Sequence, residues 1–246
     1  MNAKRPLIAV LTGAGISTDS GIPDYRGPQG LWRKDPSAEE LVTIGPYRDD
    51  TKVRARAWRM RLETAGLAAE PNAGHRALVD LERSGLPLRV LTQNIDGLHQ
   101  RAGLTARKVL ELHGNARETQ CLSCRVVGSM AQALARVEAG EPDPACRECG
   151  GILKPRIVMF GENLDQEVLG QADSVARACE VFVAVGTSLQ VFPVAGLPYN
   201  AVRSGAKLII VNAEETPYDA AAAEVIREPI SRALPKLVRR LVLEGA

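Results

Sequence analysis

The chain has 246 residues, 45% of them apolar, enough to bury one sizeable core or a core with a smaller companion module. Its 31 basic and 29 acidic residues leave a formal charge of +2, too small to hold nucleic acid or an anionic membrane by bulk electrostatics. Five cysteines form two C-x-x-C pairs and leave Cys179 over, a pattern that suits metal-bound thiolates in a reducing compartment better than a disulfide scaffold, so the chain reads as cytoplasmic.

In chain order, Lys4 and Arg5 precede the apolar run Leu7 to Leu11, imitating a secretion signal. Gly, Thr and Asp soon interrupt the run and no A-x-A site follows, so it reads as a mature strand. Similar runs at Leu86 to Leu91, Val181 to Val185 and Leu208 to Val211 are rich in Val, Ile and Leu, as strands buried on both faces are. Helices are expected over Asn72 to Ser84 and Asp165 to Cys179, and a last helix puts Ile230, Leu234, Leu237, Val238 and Leu241 on one apolar face. The fold class is therefore α/β, a Rossmann-like parallel sheet. The charge-free stretch Val181 to Val202 holds Gln190, Pro193, Pro198 and Asn200 and does not read as a membrane span.

Two segments break the alternation. Leu31 to Glu70 is Arg-rich with no clear strand, and Ala116 to Leu153 carries all four paired cysteines. Both are expected to form a smaller inserted module, helical over about 31–75 and zinc-binding over about 115–153, on a sheet domain made of about 1–30, 76–114 and 154–246.

After the first strand comes TGAGISTDSGIPDYRG, Thr12 to Gly27. A Gly-rich turn there offers backbone N–H groups to a pyrophosphate. However, G-x-G-x-x-G fails at Thr18 and no acid ends a second strand about 20 residues on, so an ordinary dehydrogenase is not indicated. A structural glycine turn fits these residues equally well. Ser20 to Arg26 packs Pro, Asp, Tyr and Arg into one loop, which could cover a ligand or form a rigid loop with a surface ion pair. At the end of the second strand, Gln93, Asn94 and Asp96 could orient a water or hold sugar hydroxyls, or Asn94 or Asp96 could cap a helix. His75 and His99 read as packing residues. His113, followed by Gly114, is the candidate general base.

Cys121-x-x-Cys124 and Cys146-x-x-Cys149 lie 21 residues apart. Four thiolates close a tetrahedral zinc shell, so this metal is expected to be structural. Cys179 reads as a small core residue.

Together these motifs resemble the sirtuin family of NAD-dependent protein lysine deacylases. The resemblance runs through Gly13-Ala14-Gly15-Ile16-Ser17 and Ser20 to Arg26, with Tyr25 where Phe is usual. It continues through Thr92 to Gly97, His113-Gly114, the four cysteines, Lys154-Pro155, Phe160-Gly161-Glu162, Gly186-Thr187-Ser188 and Val211-Asn212. It implies that NAD is consumed as a co-substrate. Gly13, Ala14, Gly15, Ser17, Asp24, Tyr25 and Arg26 would line its site, and Gln93, Asn94, Ile95 and Asp96 would hold the nicotinamide riboside end. Gly186, Thr187, Ser188, Asn212, Ala213 and Glu214 would take the phosphates and adenosine.

By the same resemblance, His113 and Asn94 are catalytic. The acyl oxygen of a modified lysine attacks the nicotinamide ribose, nicotinamide leaves, and His113 acts as base on the ribose hydroxyls. The products are O-acyl-ADP-ribose and free lysine. Acylated-lysine proteins are then the partners, with an extended substrate pairing along Ile157 to Glu162, and with His113, Val158, Phe160, Gly161 and Glu162 at the acyl-lysine. One departure bears on the acyl group. Sirtuins preferring succinyl or malonyl carry Tyr-x-x-Arg, whereas the corresponding region here, Arg54 to Arg61, has Ala57-Trp58-Arg59-Met60-Arg61, which points to acetyl or another uncharged acyl. A protein ADP-ribosyltransferase is the alternative on the same fold. A nucleic-acid-binding ribbon is disfavoured because Ala116 to Leu153 contains no aromatic residue and several acids.

Overall fold

The four apolar runs become neighbouring strands of one parallel sheet in a computed structural model that describes residues 5–22, 36–65 and 69–245. The strands are β1 (Ile8–Thr12), β2 (Leu88–Thr92), β3 (Val109–Glu111), β7 (Val181–Val185), β8 (Lys207–Val211) and β9 (Glu224–Ile226), in the order β3-β2-β1-β7-β8-β9. A three-stranded antiparallel sheet holds β5 (Val127–Ser129), β4 (Gly114–Cys121) and β6 (Leu153–Ile157), with β4 in the middle. β6 pairs with β4 and not with the parallel sheet.

The helices are α1 (Ile44–Asp49), α2 (Thr51–Ala65), α3 (Ala73–Arg83), α4 (Leu98–Arg101), α5 (Met130–Glu138), α6 (Gln166–Ala178), α7 (Leu197–Arg203) and α8 (Ile230–Gly245). Among the described residues none is long and apolar enough to cross a membrane.

Alternation along buried strands makes two cores. Ile8, Val10, Leu88, Val90, Val183, Val185, Ile209 and Val211 face α3 and α8. Ala9, Leu11, Leu91, Phe182, Ala184, Leu208 and Ile210 face α6 and α7. Burial on both faces explains why these strands read as continuous apolar runs. Asn72 caps α3, accepting from the Gly74 and His75 N–H groups at 2.9 and 3.4 Å, and its amide donates to the Ile16 carbonyl at 2.7 Å. That cap ties the helix to the turn after β1.

The helical insert and the cysteine module pack on each other. Trp58 of α2 lies in a cluster with Cys121, Met130, Leu134, Cys146 and Leu153. Arg54 donates to Asp143 at 2.7 Å and to the Tyr47 and Arg48 carbonyls, while the Tyr47 hydroxyl donates to the Leu153 carbonyl at 2.8 Å.

The chain builds β1, β2 and β3 in one direction and β7, β8 and β9 in the other. The strand order thus reverses between β1 and β7, and open α/β sheets bind ligands at the carboxyl ends of strands flanking such a reversal. Gly13, Gln93, Gly186 and Asn212 immediately follow β1, β2, β7 and β8, so the topology collects them along one edge.

Candidate active site

At the reversal the turns after β1 and β7 meet backbone to backbone. The Gly13 N–H donates to the Val185 carbonyl at 3.0 Å and the Gly15 N–H to the Gly186 carbonyl at 2.9 Å. A Cβ on Gly13 would lie 2.6 Å from the Gly186 oxygen, one on Gly15 2.7 Å from the Gly186 Cα, and one on Gly186, at φ +61°, 2.5 Å from the Ile16 nitrogen. These three glycines are required by close approach. The result is a side-chain-free floor of the kind a pyrophosphate needs.

A polar network closes the other wall. Thr12 Oγ1 donates to Thr92 Oγ1 at 2.8 Å and lies 2.9 Å from His99 Nε2, binding the ends of β1 and β2 together. Thr92 Oγ1 accepts the Asn94 N–H at 3.1 Å. The Asn94 amide donates to the Gly13 carbonyl at 3.1 Å and to Ser17 Oγ at 3.2 Å, and Ser17 donates to Asp96 Oδ2 at 2.8 Å. Asp96 Oδ1 meanwhile accepts the Leu98 N–H at 2.9 Å across Gly97, so one carboxylate holds both Ser17 and the start of α4. Gln93 donates to Thr187 Oγ1 at 2.9 Å and thereby joins the β2 and β7 turns.

His113 follows β3, half-buried, with Nδ1 3.0 Å from the Gln93 carbonyl oxygen. A carbonyl only accepts, so Nδ1 carries the proton and Nε2 keeps the lone pair of the neutral ring. Burial pushes the His113 pKa below its ordinary 6.5, against a smaller opposing effect of the Gln93 bond. The ring is therefore neutral and able to accept a proton at neutral pH. Gly114, at φ +74°, would place a Cβ 2.1 Å from the Arg156 carbonyl oxygen, so only glycine lets β6 approach here.

Beyond β6 the chain passes His113 and the helical insert in turn. The Val158 N–H donates to the His113 carbonyl at 2.9 Å, the Phe160 N–H to the Val42 carbonyl at 2.9 Å, and the Ile44 N–H to the Phe160 carbonyl at 2.9 Å. Met159 points into a buried cluster with Leu41, Tyr47, Ala57 and Ile157.

The sulfur atoms of Cys121, Cys124, Cys146 and Cys149 all lie within 4.8 Å of one another, with Cys121 to Cys149 at 3.6 Å and Cys124 to Cys146 at 3.7 Å. Four sulfurs about 2.3 Å from one zinc ion sit about 3.8 Å apart in a regular tetrahedron, so the spacing fits this metal. All four ligand positions are then filled, as in a structural site.

The Sir2 family model matches residues 13–193. The chain belongs to the Sir2 family. It is 64% identical over 237 residues to NAD-dependent protein deacetylase 2 of Streptomyces coelicolor, covering 96% of this chain and 98% of that protein. It is 45% identical over 242 residues to NAD-dependent protein deacylase 2 of Archaeoglobus fulgidus, covering 97% and 92%. Among solved structures, a Sir2 variant with deacetylated p53 peptide and 3′-O-acetyl-ADP-ribose superimposes with a TM-score of 0.84 at 38% identity, covering 98% of this chain and 94% of that one. A Sir2 complex with p53 peptide and NAD+ gives 0.81 at 38% identity, covering 98% and 94%.

In this Sir2 chain, Gly13, Gly15, Ser17, Gln93, Asn94, Asp96, Gly186 and Thr187 form one connected constellation. Asn212, Ala213 and Glu214 lie on the turn after β8, next to the Val211 carbonyl that accepts the Gly186 N–H at 2.9 Å. Asp24, Tyr25 and Arg26 lie outside the described residues. Two further residues act through partners that only the fold brings close. Arg227, after β9, donates to the Asn212 and Glu214 carbonyls at 2.8 Å each and pairs with Asp219, so it staples the Asn212 turn. Lys154, on β6 between Leu153 and Pro155, is buried and pairs with Glu162 at 2.9 Å.

Proposed function

We propose that this chain is an NAD-dependent protein lysine deacetylase that transfers the acyl group to ADP-ribose and releases nicotinamide and deacylated lysine. The observation that carries the reading is the neutral His113, its Nδ1 bound to the Gln93 carbonyl beside the glycine floor, which leaves Nε2 as a proton acceptor. The glycine floor holds the pyrophosphate of NAD, and Ala14, Tyr25 and Arg26 contribute to binding the cofactor. Asn94 and Asp96, fixed by Ser17, orient the ribose next to nicotinamide, with Ile95 and Gln93 beside them. Ser188, Asn212, Ala213 and Glu214 serve the adenosine half.

His113 Nε2 takes a proton from a ribose hydroxyl as the acyl group moves, and positioning supplies much of the rate because an amide oxygen is a weak nucleophile. Val158 and Phe160 line the acyl-lysine, and the exposed Gly161 beside them offers its backbone to an extended substrate. When bound, zinc holds the antiparallel module together and takes no part in the chemistry. Thiols that must stay reduced to bind it suit a cytoplasmic setting.

Several arginines near the replaced Tyr-x-x-Arg pair are already engaged: Arg54 by Asp143 and two carbonyls, Arg56 by Glu40 and Arg61 by the Ala57 carbonyl. This supports an uncharged acyl group. The test is a panel of acetyl, succinyl and long-chain acyl-lysine peptides with NAD. Acetyl removal well ahead of succinyl is the expected order, and the reverse order would overturn the acyl assignment.

A further inference from the structure

Lys154 lies on β6 with its side chain only 4% exposed. Its ammonium donates to the Pro155 carbonyl at 3.3 Å, the Ile157 carbonyl at 2.5 Å and Glu162 Oε2 at 2.9 Å, which uses all three protons. The same Glu162 oxygen accepts the Met159 N–H at 2.9 Å, and the Glu162 N–H returns to the Met159 carbonyl at 3.0 Å. Segment 157–162 is therefore pinned at both ends by one charge pair, its ammonium buried and its carboxylate half-buried. Its remaining bonds run outward, from Val158 to the His113 carbonyl and from Phe160 to Val42 and Ile44.

We propose that the Lys154–Glu162 pair is a positioning device for the acylated substrate, holding segment 157–162 in register with His113 so that the edge receiving the lysine and the base keep a fixed separation. The inference rests on reading that segment as the substrate edge. A reversal alone does not need the pair, because Gly161 at φ +85° already lets the chain turn. A buried ammonium is expensive to desolvate even beside a half-buried carboxylate, and the favoured return is a single geometry. Here that geometry is shared by three neighbours: the antiparallel sheet through β6, the parallel sheet through His113, and the helical insert through Val42 and Ile44. Glu162 then acts through the backbone of Met159, turned toward Lys154, rather than by touching the acyl-lysine.

The experiment is steady-state kinetics on the zinc-loaded full chain with an acetyl-lysine peptide and NAD, comparing Glu162→Gln, Lys154→Met and the Lys154→Met/Glu162→Met double variant. Either single change is expected to raise the peptide KM roughly tenfold or more while the NAD KM moves less than about twofold. The double variant should be no worse than the poorer single one, since the pair acts as a unit. Glu162→Gln, nearly isosteric, carries the test if Lys154→Met does not fold. A fall in kcat with both KM values unchanged would signal a merely structural role and overturn the proposal, as would an unchanged peptide KM. A wild-type protein silent on every acyl-peptide would instead overturn the functional reading and this inference with it.

Discussion

Acidification from pH 7 to pH 5 should destabilise the fold chiefly through two histidines that the reaction does not use. His75 and His99 are buried with ring centroids 5.1 Å apart, and His75 Nε2 and His99 Nδ1 have no hydrogen-bond partner among the described residues. Burial is the main cause that lowers their pKa values, to about 4 for His75 and about 3 for His99. Asp96 works against the shift at His75, Arg76 adds to it, and His75 lowers His99 further. A depressed folded pKa means that the unfolded chain takes up protons first, so stability is complete above 6.5 and is lost as pH falls toward the folded values. At pH 5 each ring lies about 1.5 units below its unfolded pKa, which at about 1.36 kcal/mol per unit is about 2 kcal/mol, or about 4 kcal/mol for the pair. Denaturant unfolding of wild type and of a His75→Gln/His99→Gln variant at both pH values isolates this contribution, because effects of acid on the cysteine cluster are common to both proteins. The variant should lose about 4 kcal/mol less than wild type between pH 7 and pH 5. Equal losses would refute the reasoning.

Four further outcomes are expected. His113→Ala should keep the fold and NAD affinity while kcat drops about 10²–10⁴-fold, as for loss of a general base, and near-normal turnover would contradict the assignment. Because burial lowers the His113 pKa, the acid limb of wild-type kcat/KM should fall below pH 6.5, and a limb above that value would show a charged ring in the resting site. Cys124→Ala should abolish stoichiometric zinc in metal analysis and lower the melting temperature, whereas a stable, active, zinc-free variant would contradict the structural role. Gly186→Ala puts a methyl group 2.5 Å from the Ile16 nitrogen at φ +61°, so calorimetry should show weakened NAD binding, and wild-type affinity would contradict the glycine floor.

The long strands were legible because burial on both faces leaves an unbroken apolar run, as at Ile8 to Leu11 and Val181 to Val185. The helix over Asn72 to Ser84 announced its start through the cap residue itself. β3 and β9 were not seen, since three half-buried residues are too few to show a period. β4 was also missed: its sequence, Gly114 to Cys121, is largely polar, and the strand is held by its partners and the cysteine cluster rather than by propensity.

In the site, residue types gave the candidates but not their wiring. Asp96 could be read as a cap or as a site carboxylate; in the fold Gly97 takes the cap position of α4, while Asp96 accepts from Ser17 on one oxygen and from the Leu98 N–H on the other. Arg227 and Lys154 act through partners brought close by folding, and in a sequence rich in arginine the first carries no local mark.

The most direct test of the central claim is mass spectrometry of an acetyl-lysine peptide incubated with the zinc-loaded protein, with and without NAD. Deacetylated peptide, nicotinamide and O-acetyl-ADP-ribose should appear in equal amounts and only when NAD is present. An intact acetyl-peptide, with NAD cleaved and ADP-ribose attached to protein, would contradict the deacetylase account and identify a transferase.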